Sequence, residues 1–161
     1  MKTKLFYLFL VSVFAWGCLL GCENREKDAA AMIAMDHELI LKGDWGALRE
    51  RLYEVIEQYP DTVAAAQARE SLETMTERFN RTAELALRSA YAASLQCFFD
   101  SEDSELSMAR LREKGLQTFE GVEIRVARSD PQDYLITSEH EDGDTVYSVG
   151  NDGRIMLKER E

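Results

Sequence analysis

The sequence predicts an α+β fold in which a long helix is followed by a four-stranded antiparallel sheet. Residues 61–99 contain neither proline nor glycine, and their apolar residues recur every three or four positions, as on one buried face of a helix. From residue 122 onward, four short runs alternate apolar and polar residues between turns rich in Gly, Asp and Asn, which is typical of an antiparallel meander packed on a helix. A helical hairpin is predicted ahead of the long helix.

The chain begins with a segment typical of an export signal. Lys2 and Lys4 precede an apolar run of about sixteen residues that ends at Leu20. A spanning helix needs roughly twenty apolar residues, so a cleaved signal over residues 1–21 is the favoured interpretation. An uncleaved membrane anchor and a buried segment of a soluble core stay open as alternatives.

The apolar run ends in Leu19-Leu20-Gly21-Cys22, which resembles the lipobox of bacterial lipoproteins. The resemblance implies cleavage between Gly21 and Cys22, a diacylglycerol on the Cys22 thiol, and a fatty acid such as palmitate on the new amino terminus. Glu23 follows the cysteine, whereas Asp in that position retains such proteins at the inner membrane of enterobacteria. The resemblance therefore implies an anchor at the periplasmic face of the outer membrane, followed by a linker over residues 22–27.

The chain after the signal segment is strongly acidic. Removal of Lys2 and Lys4 leaves 17 basic residues against 30 acidic ones, a net charge of −13 compared with −11 for the whole chain. Such a charge repels nucleic acid phosphates, so we exclude DNA and RNA as partners. With Cys18 removed and Cys22 lipidated, Cys97 has no partner for an intrachain disulfide; it is predicted to be buried, with a reactive or intermolecular thiol as the alternative.

Two helices are predicted before the long one. The first covers residues 28–42 and ends at Gly43, and Asp44 is placed to cap a second helix that ends before Pro60. The residues predicted to be buried in the first helix are Ala29, Met32, Ile33, Met35, Leu39 and Ile40. Those in the second helix are Trp45, Leu48, Leu52, Val55 and Tyr59.

The second helix and its flanks resemble part of a tetratricopeptide repeat. The resemblance is carried by Gly43, Trp45, Leu48, Leu52, Val55 and Pro60, and by the following run Tyr59-Pro60-Asp61-Thr62 with its alanines. It covers about residues 29–75, within a helical region 28–80, and Asp36 departs from the small residue that the family has there. Such repeats commonly bind peptide segments, so the resemblance implies an interaction surface, with Trp45, Tyr53 and Tyr59 as candidates.

The C-terminal region, residues 81–161, resembles the globular head of type IV pilins and pseudopilins. A short helix from Met108 to Lys114, capped by Ser107 and closed by Gly115, lies between the long helix and the meander. The strands are predicted at Val122–Val126, Tyr134–Thr137, Thr145–Val149 and Arg154–Leu157. The pilin processing glycine and assembly helix are missing, so the resemblance does not imply assembly into a fibre through that helix.

No group of residues predicts catalysis, a cofactor or a metal site. His37 and His140 are predicted to be solvated, and Glu102, Asp103 and Glu105 to lie in an exposed loop. The turn Glu141-Asp142-Gly143-Asp144 could bind calcium, but it lacks the twelve-residue loop pattern and is predicted to be a polar hairpin turn. We therefore expect a non-catalytic, lipid-anchored envelope protein that binds another envelope protein or acts as a scaffold. The alternative is an accessory structural component of a type IV pilus or secretion-type assembly.

Overall fold

The computed structural model describes residues 24–34, 36–100 and 105–160. The predicted signal segment 1–21 and the predicted lipidation site Cys22 lie outside these residues. The chain divides into two compact units, Met1–Glu73 and Thr74–Glu161. The boundary between the units falls inside the longest helix.

The described part of the first unit is helical. Residues 24–34 form helix α1, followed by α2 (Asp36–Lys42) and α3 (Trp45–Gln58). Helices α2 and α3 pack together across a turn in which Gly43 adopts a φ of 70°, a left-handed conformation that favours glycine. The Asp44 carboxylate accepts the Ala47 N–H at 3.1 Å, which confirms the predicted N-cap of α3.

Helix α1 begins earlier than expected. We predicted a linker over residues 22–27, but residues 24–27 are helical. The Glu26 carboxylate accepts the backbone N–H groups of Val63 at 3.0 Å and Ala64 at 3.2 Å. These amides open the long helix that begins at Val63 and have no partner within it, so a carboxylate is well suited to cap them.

Helix α4 (Val63–Asp100) confirms the long helix predicted from the sequence. It begins at Val63 because the Thr62 hydroxyl accepts the Ala65 N–H at 3.1 Å and caps the first turn. Its buried face carries mostly small side chains, which let other elements approach the helix closely. These buried residues are Ala64, Ala65, Ala68, Ala83, Ala86, Ala90, Ala93 and Cys97.

The second unit contains the rest of α4, a short helix α5 (Met108–Glu113) and a four-stranded sheet. The Ser107 hydroxyl caps α5, as predicted, by accepting the Arg110 N–H, and Leu106 and Leu111 are buried. The strands are β1 (Val122–Arg128), β2 (Leu135–His140), β3 (Thr145–Gly150) and β4 (Ile155–Glu159). They lie in the order β1-β2-β3-β4 with antiparallel neighbours, which confirms the predicted meander.

The sheet packs one face against α4. Ile136, Tyr147 and Val149 are buried on that face, together with Leu87 and Ala90 of the helix. The Ser138 hydroxyl on β2 donates to the Ala83 carbonyl at 2.9 Å, so the helix and the sheet are also joined by a buried hydrogen bond. This arrangement is the α+β fold that the sequence predicts.

Ile40, which was predicted to be buried, and Leu95, which follows the helical period of the long helix, are both well exposed. Ile40 in α2 is 47% exposed and Leu95 in α4 is 50% exposed. Leu95 follows the helical period, but its position on the helix lies well away from the alanine stripe that faces the sheet. Helical periodicity alone therefore predicts an apolar face of α4 that is wider than the face that is buried.

The importance of the contact between α4 and the sheet can be tested with two leucines of the same helix. We expect Leu87→Ala to lower the free energy of unfolding by about 2–5 kcal/mol, because it leaves a cavity at a fully buried position. We expect Leu95→Ala to cost less than about 1 kcal/mol, since half of its side chain is already in solvent. Urea unfolding measures both values, and equal losses would contradict this assignment of the core.

Candidate interaction surfaces

The three aromatic residues predicted to bind a partner lie along α3 without forming one exposed patch. Trp45 begins the helix, Tyr59 follows its last residue, and both are half-buried. Tyr53 is 57% exposed. Trp45 and Tyr59 lie on the side of α3 that carries the buried Leu52, whereas Tyr53 lies on a different side. Tyr53 is therefore the one of the three that presents most of its surface to solvent.

Asp36 is a buried acid at the start of α2. The residue is 5% exposed, and its Oδ1 atom has no hydrogen-bond partner among the residues that the structure describes. Burial raises the pKa of Asp36, and the positive charge of Arg51 on α3 partly opposes this shift. Asp36 is thus a buried acid whose desolvation is only partly offset by a nearby positive charge.

His140 is buried, contrary to the prediction that it is solvated. It is 7% exposed, and its ring stacks on Phe79 of α4 with the centroids 4.4 Å apart. Its Nδ1 atom accepts the Asp142 N–H at 3.0 Å. Gly121, with a φ of 72°, lies against the ring, and a Cβ there would be 2.7 Å from His140 Cε1. The prediction for His37 concerns a side chain outside the described residues.

The turn between β2 and β3 is a hairpin turn bound to α4 through Asn80. Asn80 Nδ2 donates to Asp144 Oδ1 at 2.6 Å, and the Asp144 N–H donates to Asn80 Oδ1 at 3.1 Å. Hydrogen bonds from Asn80 and then Thr145 hold the pKa of Asp144 below its usual range. The Asp144 carboxylate thus accepts hydrogen bonds from two protein side chains, Asn80 and Thr145. Among the described residues, no three His, Cys, Asp or Glu side chains are grouped to hold a metal ion.

The solvent face of the sheet carries a network of ion pairs. Arg125 of β1 contacts Glu123 on the same strand and Glu139 on β2, the latter at 3.6 Å. Arg160, just after β4, reaches the same Glu139 at 3.4 Å. A shallow depression of about 280 Å³ lies beside these side chains. Each of these carboxylates is paired with a guanidinium. The network therefore joins side chains of β1 and β2 to Arg160 after β4.

The C-terminal end of α4 presents apolar surface. Phe99 is 91% exposed, and it lines a depression of about 340 Å³ with Leu95, Gln96, Asp100 and Lys114. Lys114 and Asp100 form a salt bridge at its rim. Cys97 faces the opposite way and is fully buried, as predicted, and burial raises the pKa of its thiol. Its environment therefore disfavours the reactive thiolate form.

No protein-family model matches the chain, and no curated protein is significantly similar to it in sequence. In the part of the chain that the structure describes, no helix combines the length and the apolar character required to cross a bilayer.

The buried acid in α2 provides a test of the first unit. We expect Asp36→Ala to raise the free energy of unfolding by about 1–3 kcal/mol at pH 7, because it removes a buried carboxylate oxygen that has no hydrogen bond. Asp44→Ala serves as the control and should lower stability by about 1 kcal/mol through loss of the N-cap.

The pH dependence of this effect has a defined sign. A carboxyl group whose folded pKa is raised destabilises the fold above that pKa and carries no such penalty below its unfolded pKa. The gain from Asp36→Ala should therefore shrink as the pH falls toward the ordinary aspartate value of 3.8. A gain that is the same at pH 7 and pH 4 in urea unfolding experiments would contradict the raised pKa.

Proposed function

We propose that this protein is a non-catalytic, lipid-anchored protein of the bacterial cell envelope, and that its folded body acts as a protein-interaction or scaffold module. The observation that carries the proposal is the tetrapeptide Leu19-Leu20-Gly21-Cys22 at the end of a signal-like apolar run. Lipid chains on Cys22 would hold the body at the periplasmic face of the outer membrane. Two or more chains are needed for stable anchoring, and a modified lipoprotein cysteine carries them.

The proposal that the body binds proteins is supported by its charge and its exposed side chains. A net charge of −13 after the signal disfavours nucleic acid and anionic lipid headgroups as direct ligands. Tyr53 in the first unit and Phe99 in the second are large apolar side chains that lie mostly in solvent. Such side chains are typical anchors in protein interfaces, and the partner proposed here is another envelope protein.

The proposal that the body is not an enzyme is supported by the environments of its ionisable groups. Cys97 is buried with a raised thiol pKa, and Asp144 is bound by Asn80 and Thr145. His140 is enclosed by Phe79 and Gly121. Contacts within the fold thus occupy each of these three groups.

A second candidate function is an accessory structural role in a type IV pilus or secretion-type assembly. It is favoured by one observation, the packing of a four-stranded meander on the end of a long helix. Crosslinking in intact cells, followed by purification of this protein and mass spectrometry, separates the two candidates. Components of an assembly machine among the crosslinked proteins favour the accessory role, whereas other envelope proteins favour the interaction module.

The anchor can be tested by metabolic labelling with a palmitate analogue that carries an alkyne. We expect the wild-type chain and Cys18→Ser to be labelled, because Cys18 lies inside the segment that is removed. We expect Cys22→Ser to fall to background labelling and to retain residues 1–21, since the cysteine is both the acceptor and the cleavage position. Equal labelling of Cys22→Ser and the wild type would overturn the proposed anchor.

A further inference from the structure

Strand β4 lies at one edge of the sheet. Its hydrogen-bonded neighbour is β3 on one side, and within the described residues of the second unit no strand pairs with its other side. The opposite edge, β1, carries an irregularity between Val126 and Arg128, and such bulges hinder pairing with a further strand. The register of β3 with β4 is unbroken from Thr145 to Val149. Of the two edges, β4 is therefore the one that is regular enough to accept another strand.

The outward-facing backbone groups of β4 can be identified from its ladder with β3. The Arg160 N–H donates to the Asp144 carbonyl at 2.7 Å, so these two residues are a hydrogen-bonded pair of the antiparallel ladder. Hydrogen-bonded pairs recur at every second residue of an antiparallel ladder, so Lys158 and Met156 also direct their backbone N–H and C=O groups toward β3. The N–H and C=O groups of Ile155, Leu157 and Glu159 consequently point away from β3.

Successive side chains of β4 lie alternately on the helix-facing side and on the opposite side of the sheet. Leu157 pairs with the buried Tyr147, so it lies on the helix-facing side of the sheet, yet it is 70% exposed. Met156 lies on the opposite side and is 58% exposed. Lys158 is exposed on that same side, and the exposed Arg154, just before the strand, reaches that side if the alternation continues by one residue. The edge therefore presents a basic–apolar–basic surface in a chain whose net charge is −11.

We propose that β4 binds an extended segment of a partner protein by strand addition, and that this segment carries two acidic residues four positions apart with apolar residues between them. In this arrangement the acids lie opposite Arg154 and Lys158, and apolar side chains lie opposite Met156 and Leu157. Opposite charges directly across a strand pair stabilise it, and the three outward residues supply main-chain hydrogen bonds.

The same geometry disfavours a second copy of this chain as the occupant. Antiparallel pairing of two β4 strands centred on Met156 places Arg154 opposite Lys158 of the other copy. Pairing centred on Leu157 places Arg154 opposite Arg160. Both registers juxtapose like charges, which destabilise a strand pair.

This inference deepens the proposed function and rests on the view that the body binds other proteins. Its test is independent of the lipid anchor, because it measures only the β4 edge. A failure of strand addition would leave labelling at Cys22 unaffected, and a failure of labelling would leave the edge unaffected.

The test uses the full-length chain, labelled with ¹⁵N, in detergent micelles. The probe is a blocked peptide of sequence Thr-Glu-Val-Val-Val-Glu-Thr, and the measurement is amide hydrogen exchange by NMR. We expect the peptide to slow exchange of the Ile155, Leu157 and Glu159 amides at least tenfold. The Met156 and Lys158 amides already donate within the sheet and should change little. Unchanged exchange at all five amides would overturn the proposal.

Charge specificity is tested with a matched peptide and a matched variant. A peptide with Lys in place of both Glu residues should not protect the edge of the wild-type chain. The double variant Arg154→Glu/Lys158→Glu changes two exposed side chains and should bind the acidic peptide about tenfold more weakly and the lysine peptide more tightly. Equal binding of both peptides by both proteins would show that β4 does not select an acidic segment.

Discussion

The second unit depends on the contact between the alanine-rich face of α4 and the inner face of the sheet. A four-stranded meander buries only one face, and it needs a covering element to be stable by itself. Ala83, Ala90 and Ala93 bring the helix backbone close to the strands, and Leu87 fills the space beside them. Because small side chains permit close approach, the Ser138 hydroxyl can also reach the Ala83 carbonyl.

The elements could be predicted because their patterns are local. The absence of proline and glycine from residues 61–99 and the turns between the strands were enough to identify α4 and all four strands. Ser107 and Asp44 were recognisable as caps because each lies three residues before the amide that it accepts. Local signals of this kind can be recognised without knowing which helices and strands pack against one another.

The errors come from contacts between residues that are distant in the chain. His140 was predicted to be solvated because Glu139 and Glu141 flank it, but the alternation from Ile136 through Ser138 places it on the helix side, where it stacks on Phe79. Glu26 was assigned to a linker because its neighbours are polar, and its partners at Val63 and Ala64 lie 37 and 38 residues away. The binding edge on β4 was also missed, since strand order is needed to identify an edge.

The candidate site residues rest on two kinds of signal. Lipidation at Cys22 is predicted from four consecutive residues and stays a prediction, whereas the α3 aromatics were grouped by residue type and do not form one surface. Attachment of lipid to that cysteine is the claim on which the cellular account depends. The most direct measurement is the intact mass of the native chain extracted from membranes. We expect a chain that lacks residues 1–21 and carries the added mass of acyl groups and glycerol on its first residue. The unmodified mass of the complete chain would contradict it.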